Sequence, residues 1–189
     1  NSEIIELLTE LSPDMALVFA YGEIISKDVL HIPVRGFWNI HPSLLPLYRG
    51  ASPVAYPLMM GDRETGVTLM KMDEKMDHGP IIAQIKTSIS PDENRKELTI
   101  RLTDMAFELF KANLDNTNKA EYNVQDHAHA TVTSLFTKED GYISFSYILA
   151  GINGMSSEEL PQILRRYSEK YSQTLSSSPA EVIYNLYRG

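Results

Sequence analysis

Asn39 and His41 stand two residues apart in Phe37-Trp-Asn39-Ile-His41-Pro42, an apolar run closed by proline. The run reads as a short strand, so the two polar side chains share one face and Ile40 takes the other. An amide and an imidazole directed into one space suit carbonyl chemistry. The amide N–H stabilises the negative oxygen of a tetrahedral intermediate, and the imidazole donates to it or carries a proton. Asp77 lies in Lys71-Met-Asp73-Glu-Lys-Met-Asp77-His78-Gly79-Pro80, where Gly79-Pro80 favours a tight turn that exposes the carboxylate. Placed beside the imidazole, that carboxylate would complete an acid–base set. Each residue also has a plainer role, because Asn or His at a strand end and Asp before Gly commonly satisfy the backbone of their own turn.

These side chains need elements to hold them. Ser2 precedes Ile4, Ile5, Leu7, Leu8 and Leu11 at helical spacing, and Ser12-Pro13-Asp14 stops the pattern, which predicts a helix over about 3–11. Met15 to Ala20 is apolar without alternation and reads as a strand buried on both faces, the kind found in parallel sheets. Phe37 to His41, Gly66 to Met72 and Pro80 to Lys86 read as further strands, with a short helix from Val54 to Met60. Ser90-Pro91-Asp92-Glu93 reads as a helix cap with Pro at the first helical position. Leu98, Leu102, Met105 and Leu109 then mark one face of a helix reaching about Asn116. Thr131 to Leu135 and Tyr142 to Phe145 read as short strands around the Asp140-Gly141 turn, and 146–178 as a separate helical and Ser-rich stretch. The pattern is α/β with a mostly parallel sheet and a helical C-terminal segment. In open α/β sheets ligands bind beyond the carboxyl ends of strands, where Asn39 and His41 fall.

Composition removes several classes of function. No apolar run approaches the roughly 18 residues of a membrane span, and Asn1-Ser2-Glu3 has no signal-peptide character. The absence of Cys excludes a disulfide scaffold, a thiolate nucleophile and Cys-ligated metals, and agrees with a cytoplasmic location. A net charge of −8 disfavours gripping a phosphate backbone by this chain alone. The first residue is Asn rather than Met, so the chain is expected to be a processed product or one piece of a longer protein. Met70, Met72 and Met76 are expected to form apolar wall, and His127 and His129 to be solvent-exposed without a metal role. Arg49 is expected either to meet an anionic ligand group or to be a surface charge.

The string Asn39-Ile-His41-Pro42-Ser43-Leu44-Leu45-Pro46-Leu-Tyr-Arg49-Gly50-Ala-Ser-Pro53, followed by Met76-Asp77-His78-Gly79-Pro80-Ile-Ile-Ala-Gln84, resembles the paired signature of the folate-dependent formyltransferases. The resemblance implies a partial Rossmann-like domain in which Asn39, His41 and Asp77 are catalytic. It implies 10-formyltetrahydrofolate as co-substrate, with no metal. Ser43, Leu44, Leu45 and Pro46 would contact folate, and Tyr21, Glu23 and Ile24 would line the pterin pocket through backbone polar groups; for Leu44 and Leu45 the alternative is core packing at the loop base.

Val18-Phe-Ala-Tyr21-Gly22-Glu-Ile-Ile, Gly61-Asp-Arg-Glu-Thr-Gly66-Val-Thr, Ala130-Thr-Val-Thr133, Thr137-Lys-Glu-Asp140-Gly141-Tyr-Ile and Ile183 to Gly189 are similar to the family's methionyl-tRNA branch. They imply the α-amine of methionyl-initiator tRNA as acceptor. The alternatives are a small amine such as glycinamide ribonucleotide, or a folate-binding module without turnover. The resemblance covers about 1–145 and 180–189. It implies a catalytic domain over 1–145 that is incomplete at its N-terminal side, an insertion and linker over 146–178, and over 179–189 the start of a helix leading to an absent domain. Without its flanking strands, Met15 to Ala20 would lie at a sheet edge open to self-association.

Overall fold

Helix α1 (Ser2–Leu11) follows the apolar spacing of its sequence, and Ile5 and Leu8 pack against Val29, Leu30 and Phe37. The computed structural model describes residues 2–22, 24–114 and 122–136. Asn1–Leu58 and Asp62–Phe136 make one compact unit, which contains the site. After α1 come strand β1 (Ala16–Phe19), the single turn α2 (Lys27–Leu30), β2 (Phe37–His41), β3 (Arg49–Gly50) and α3 (Ala55–Met60). Strands β4 (Glu64–Lys71) and β5 (Ile81–Ser88), the long helix α4 (Arg95–Leu114), a 3-10 turn (His127–His129) and β6 (Val132–Thr133) complete the described elements.

The main sheet has the order β1-β2-β4-β5. β1 and β2 are parallel, with Val18 opposite Asn39, whereas β2 with β4 and β4 with β5 are antiparallel. The α/β class holds, but the described sheet is mixed rather than mostly parallel. The segment from Met72 to Pro80 explains part of this: a short loop can only reverse a strand, and a parallel pair needs a crossover of about a dozen residues or more. A second, two-stranded sheet pairs β3 with β6 in parallel.

β2 divides the core. Trp38 and Ile40 join Val67, Leu69, Ile82, Leu98, Leu102 and Ala106 beneath α4, while Phe37 turns to the cluster under α1 and α2. Asn39 and His41 therefore continue the Phe37 face toward the carboxyl end of the strand, as alternation requires.

Two local expectations are corrected. β1 is not buried on both faces: Ala16 and Val18 are half-buried, but Leu17 and Phe19 are exposed. Among the described residues β1 pairs only with β2, and α1 covers just one of its faces. Helix α4 starts four residues later than the Ser-Pro signal suggests. Asn94 Oδ1 accepts from the Glu97 amide at 3.1 Å and the Glu97 carboxylate accepts from the Asn94 amide at 3.0 Å. This reciprocal box satisfies two end donors that Ser90 would have left open. Of the methionines, Met70 is buried and Met72 packs under α2, but Met76 is exposed. Glu23, the strand expected at Tyr142 to Phe145, the end of the long helix beyond 114, and the expected segments 146–178 and 179–189 lie outside the described residues.

Candidate active site

Asn39 and His41 arrive on one face at the end of β2, and Asp77 comes to them from the loop between β4 and β5. Asn39 Nδ2 donates to Asp77 Oδ1 at 3.2 Å, and His41 Nδ1 lies 3.6 Å from Asp77 Oδ2. The Gly50 amide donates to the same Oδ2 at 2.7 Å. The three side chains picked out by type and spacing are thus brought together, and a main-chain donor joins them. Only one N–H of the Asn39 amide has a partner among the described residues, which leaves the other for a ligand oxygen.

His41 is 4% exposed, and its Nε2 lies 2.8 Å from the Tyr48 carbonyl oxygen. A carbonyl only accepts, so Nε2 carries the hydrogen and Nδ1 is the atom that can gain or lose a proton. Burial pushes the imidazole below its ordinary value; the Asp77 carboxylate and the Tyr48 carbonyl oppose this in part, and Arg49 adds to it. Around neutral pH the ring is neutral, with its Nδ1 lone pair toward Asp77. Donation from Nε2 to a substrate oxyanion, one of the two uses open to the imidazole from sequence, is not available in this arrangement.

Close backbone packing holds these groups. Gly50 has φ +100°, and a Cβ there would sit 2.4 Å from the Thr133 carbonyl oxygen; at Gly79 it would sit 2.0 Å from that of Lys71. Asp77 itself has φ +48°, a left-handed conformation that an Asp tolerates better than most residues. Tyr48, with φ +60°, anchors its hydroxyl on Asp62 at 2.5 Å; burial and then that carboxylate push the phenol up.

The loop after β2 is built inward. Ser43 is fully buried, and its hydroxyl donates to the Leu47 carbonyl at 2.6 Å. Thr68 Oγ1 donates to the Ser43 carbonyl and accepts from the Leu45 amide, and Gln84 Nε2 donates to the Leu45 carbonyl at 3.0 Å. The Leu45 side chain is buried, Leu44 and Pro46 are half-buried, and the Leu45–Pro46 peptide is cis. Ser43 and Leu45 therefore spend their side chains on the loop, leaving Leu44 and Pro46 as the residues of this stretch with accessible side-chain surface. Tyr21 is exposed just past the carboxyl end of β1, and Ile24 is 93% exposed.

Arg49 is not a surface charge. It is 8% exposed, and its Nε and Nη2 donate to Gln125 Oε1 at 3.2 and 2.6 Å, with Nη2 also 2.9 Å from His127 Nδ1. His127 and His129 are exposed, and the His127 ring stacks on His78 at 4.0 Å between centroids. Gln125 is the residue that sequence reasoning missed, because a single Gln in a polar stretch carries no local signal. Among the described residues no group of three His, Cys, Asp or Glu side chains is arranged to hold a metal ion, and no helix is long and apolar enough to cross a membrane.

Residues 1–114 match the family described as formyl transferase. The chain is 49% identical over 141 residues to a methionyl-tRNA formyltransferase of Roseiflexus castenholzii, covering 74% of this chain and 45% of that protein. It spans about half the length of the curated relatives it matches. Among solved structures it is similar to phosphoribosylglycinamide formyltransferase from Bacillus halodurans, with a TM-score of 0.58 at 30% identity, covering 62% of this chain and 61% of the other. It is also similar to the formyltransferase PseJ from Anoxybacillus kamchatkensis, solved in complex with tetrahydrofolate and UDP-4,6-dideoxy-4-formamido-L-AltNAc. That match has a TM-score of 0.61 at 25% identity and covers 72% and 70% of the two chains.

Proposed function

The chain belongs to the formyl transferase family, and from that premise we propose that it carries the transfer site of a methionyl-tRNA formyltransferase. It would pass the formyl group of 10-formyltetrahydrofolate to the α-amine of methionyl-initiator tRNA, in the cytoplasm. The observation that carries this reading is the meeting of Asn39, His41 and Asp77 at the carboxyl end of β2. Identities of 40 to 49% to curated methionyl-tRNA formyltransferases support the acceptor.

The residues present fit a formyl-folate by their chemistry: an unengaged amide N–H on Asn39, a neutral ring on His41, and half-buried Leu44 and Pro46 beside exposed Tyr21. The folate supplies an activated formyl carbon when bound. The free N–H of Asn39 holds the oxygen on which negative charge develops. Nδ1 of His41 takes the proton that the attacking amine must lose and returns it to the folate nitrogen as the formyl carbon–nitrogen bond to the folate breaks, and Asp77, 3.6 Å away, stabilises the imidazolium in between. Gly50 and Asn39 keep the carboxylate in place while the charge beside it changes.

Turnover of 10-formyltetrahydrofolate by the full 189-residue chain, with methionyl-initiator tRNA and with glycinamide ribonucleotide offered separately, tests the reading. Formyl transfer to the tRNA supports it. Transfer to the nucleotide alone favours the second reading, whose support is the 30% identity to phosphoribosylglycinamide formyltransferase. Folate binding without turnover to either acceptor leaves a binding module. The same proposal includes a second copy of this chain at the β1 edge, where exposed Leu17 and Phe19 accompany a strand paired on one side among the described residues.

A further inference from the structure

Gln125 Nε2 donates to the backbone carbonyls of Asp77 and Gly79 at 3.0 and 2.7 Å, while its Oε1 accepts both Arg49 Nε and Arg49 Nη2. Both donors and both acceptor positions of this amide are in use, and the residue is 4% exposed. The geometry points to Gln125 as a positioning residue for Asp77, with Arg49 as the post on which it is mounted; the part of this that concerns catalysis rests on the function proposed above. The two ends of the arrangement are chain neighbours. Arg49 reaches the Asp77 main chain through Gln125, and the next residue, Gly50, donates its amide directly to the Asp77 carboxylate. The peptide group and the carboxylate of Asp77 are thereby held from one strand, β3.

Such a hold is needed because Asp77 sits at φ +48°, a conformation that persists only where surrounding contacts over-determine it. A Cβ at Gly79 would sit 2.0 Å from the Lys71 carbonyl oxygen, so the turn passes β4 at a distance that only glycine permits. Releasing the two carbonyls frees the turn to relax toward ordinary dihedrals, swinging the carboxylate away from Gly50 and His41. A neutral amide suits this post: a carboxylate of the same shape would still accept from Arg49 but would present lone pairs to two carbonyl oxygens.

Hydrogen exchange at single amides of the full chain reads the hold directly. In Gln125→Met, which keeps length without donors, the Gly50 amide should exchange at least about tenfold faster while the Leu69 amide in β4 is unchanged. Gln125→Glu should do the same; Gly50 protection retained in Gln125→Glu would show that the Arg49 contact suffices and would overturn the inference. Should both variants lose Leu69 protection and so fail to fold, the unaltered chain decides. Its Gln125 side-chain amide protons should exchange slowly, and rapid exchange there overturns the proposal. In turnover, Gln125→Met should lower kcat by up to about 10²-fold, the scale of a misplaced catalytic group, with KM for the formyl donor little changed. The same change in an Asp77→Asn background should cost nothing further, and additive losses would contradict action through Asp77. An unaltered chain without turnover sinks the transfer reading, whereas the exchange results still decide whether Gln125 holds the loop.

Discussion

The Gly50 amide donates a 2.7 Å hydrogen bond to Asp77 Oδ2 across 27 positions of sequence, and the same oxygen lies 3.6 Å from His41 Nδ1. One backbone N–H thus sets the carboxylate that faces the protonatable ring nitrogen. That relationship depends on a backbone only glycine tolerates well, and it ties the β3–β6 pair to the chemistry of β2.

Gly50→Ala should therefore be costly. With φ +100° and a Cβ 2.4 Å from the Thr133 carbonyl oxygen, the variant must part β3 from β6 or strain the turn. A loss of about 1 to 3 kcal/mol in unfolding free energy is expected. Urea unfolding checks this, and an unchanged midpoint with unchanged slope would contradict the close packing.

Asn39→Ala should lower kcat for formyl transfer by about 10² to 10³, the usual effect of removing one oxyanion donor. An effect confined to KM for the folate would make Asn39 a binding group instead. Steady-state kinetics with the formyl donor varied separate the two outcomes.

Acid should weaken the fold through His41. Burial lowers its folded-state value below the ordinary imidazole value of about 6.5, so between the two the unfolded chain binds more protons and stability rises with pH. The contribution is complete above about pH 6.5 and is lost as pH falls through the folded value. Comparing unfolding free energies of the unaltered chain and His41→Gln from pH 7.5 down to 5 isolates it. A difference that stays constant over that range would refute the burial argument.

A charge on the open face of β1 should reduce self-association. Phe19→Lys places an ammonium where an exposed phenyl lies on a strand paired on one side among the described residues. Sedimentation at several concentrations is the measurement. A unaltered chain that is monomeric throughout removes the second copy from the proposal.

Much of this protein was legible in its sequence because the signals were local. Phe37 to His41 forms the strand that its apolar run and closing proline indicate, and alternation alone puts Asn39 and His41 on one face with Ile40 on the other. The spacing of Leu98 and Leu102 likewise identifies the buried side of α4. The Ser90-Pro91 signal points to a start four residues too early, because the helix is closed instead by the Asn94–Glu97 box.

Tertiary structure decided the rest, since side-chain partners distant in sequence leave no periodicity. Arg49 looks like a surface cation until Gln125, 76 positions away, pairs with it in the interior. Leu17 and Phe19 look like core until the sheet order among the described residues places β1 at an edge with one face covered. Residue types and spacing determined which groups could do carbonyl chemistry. Their placement within hydrogen-bonding reach, and which nitrogen of His41 is free to take a proton, were set by long-range packing of β3, β6 and the Asp77 turn.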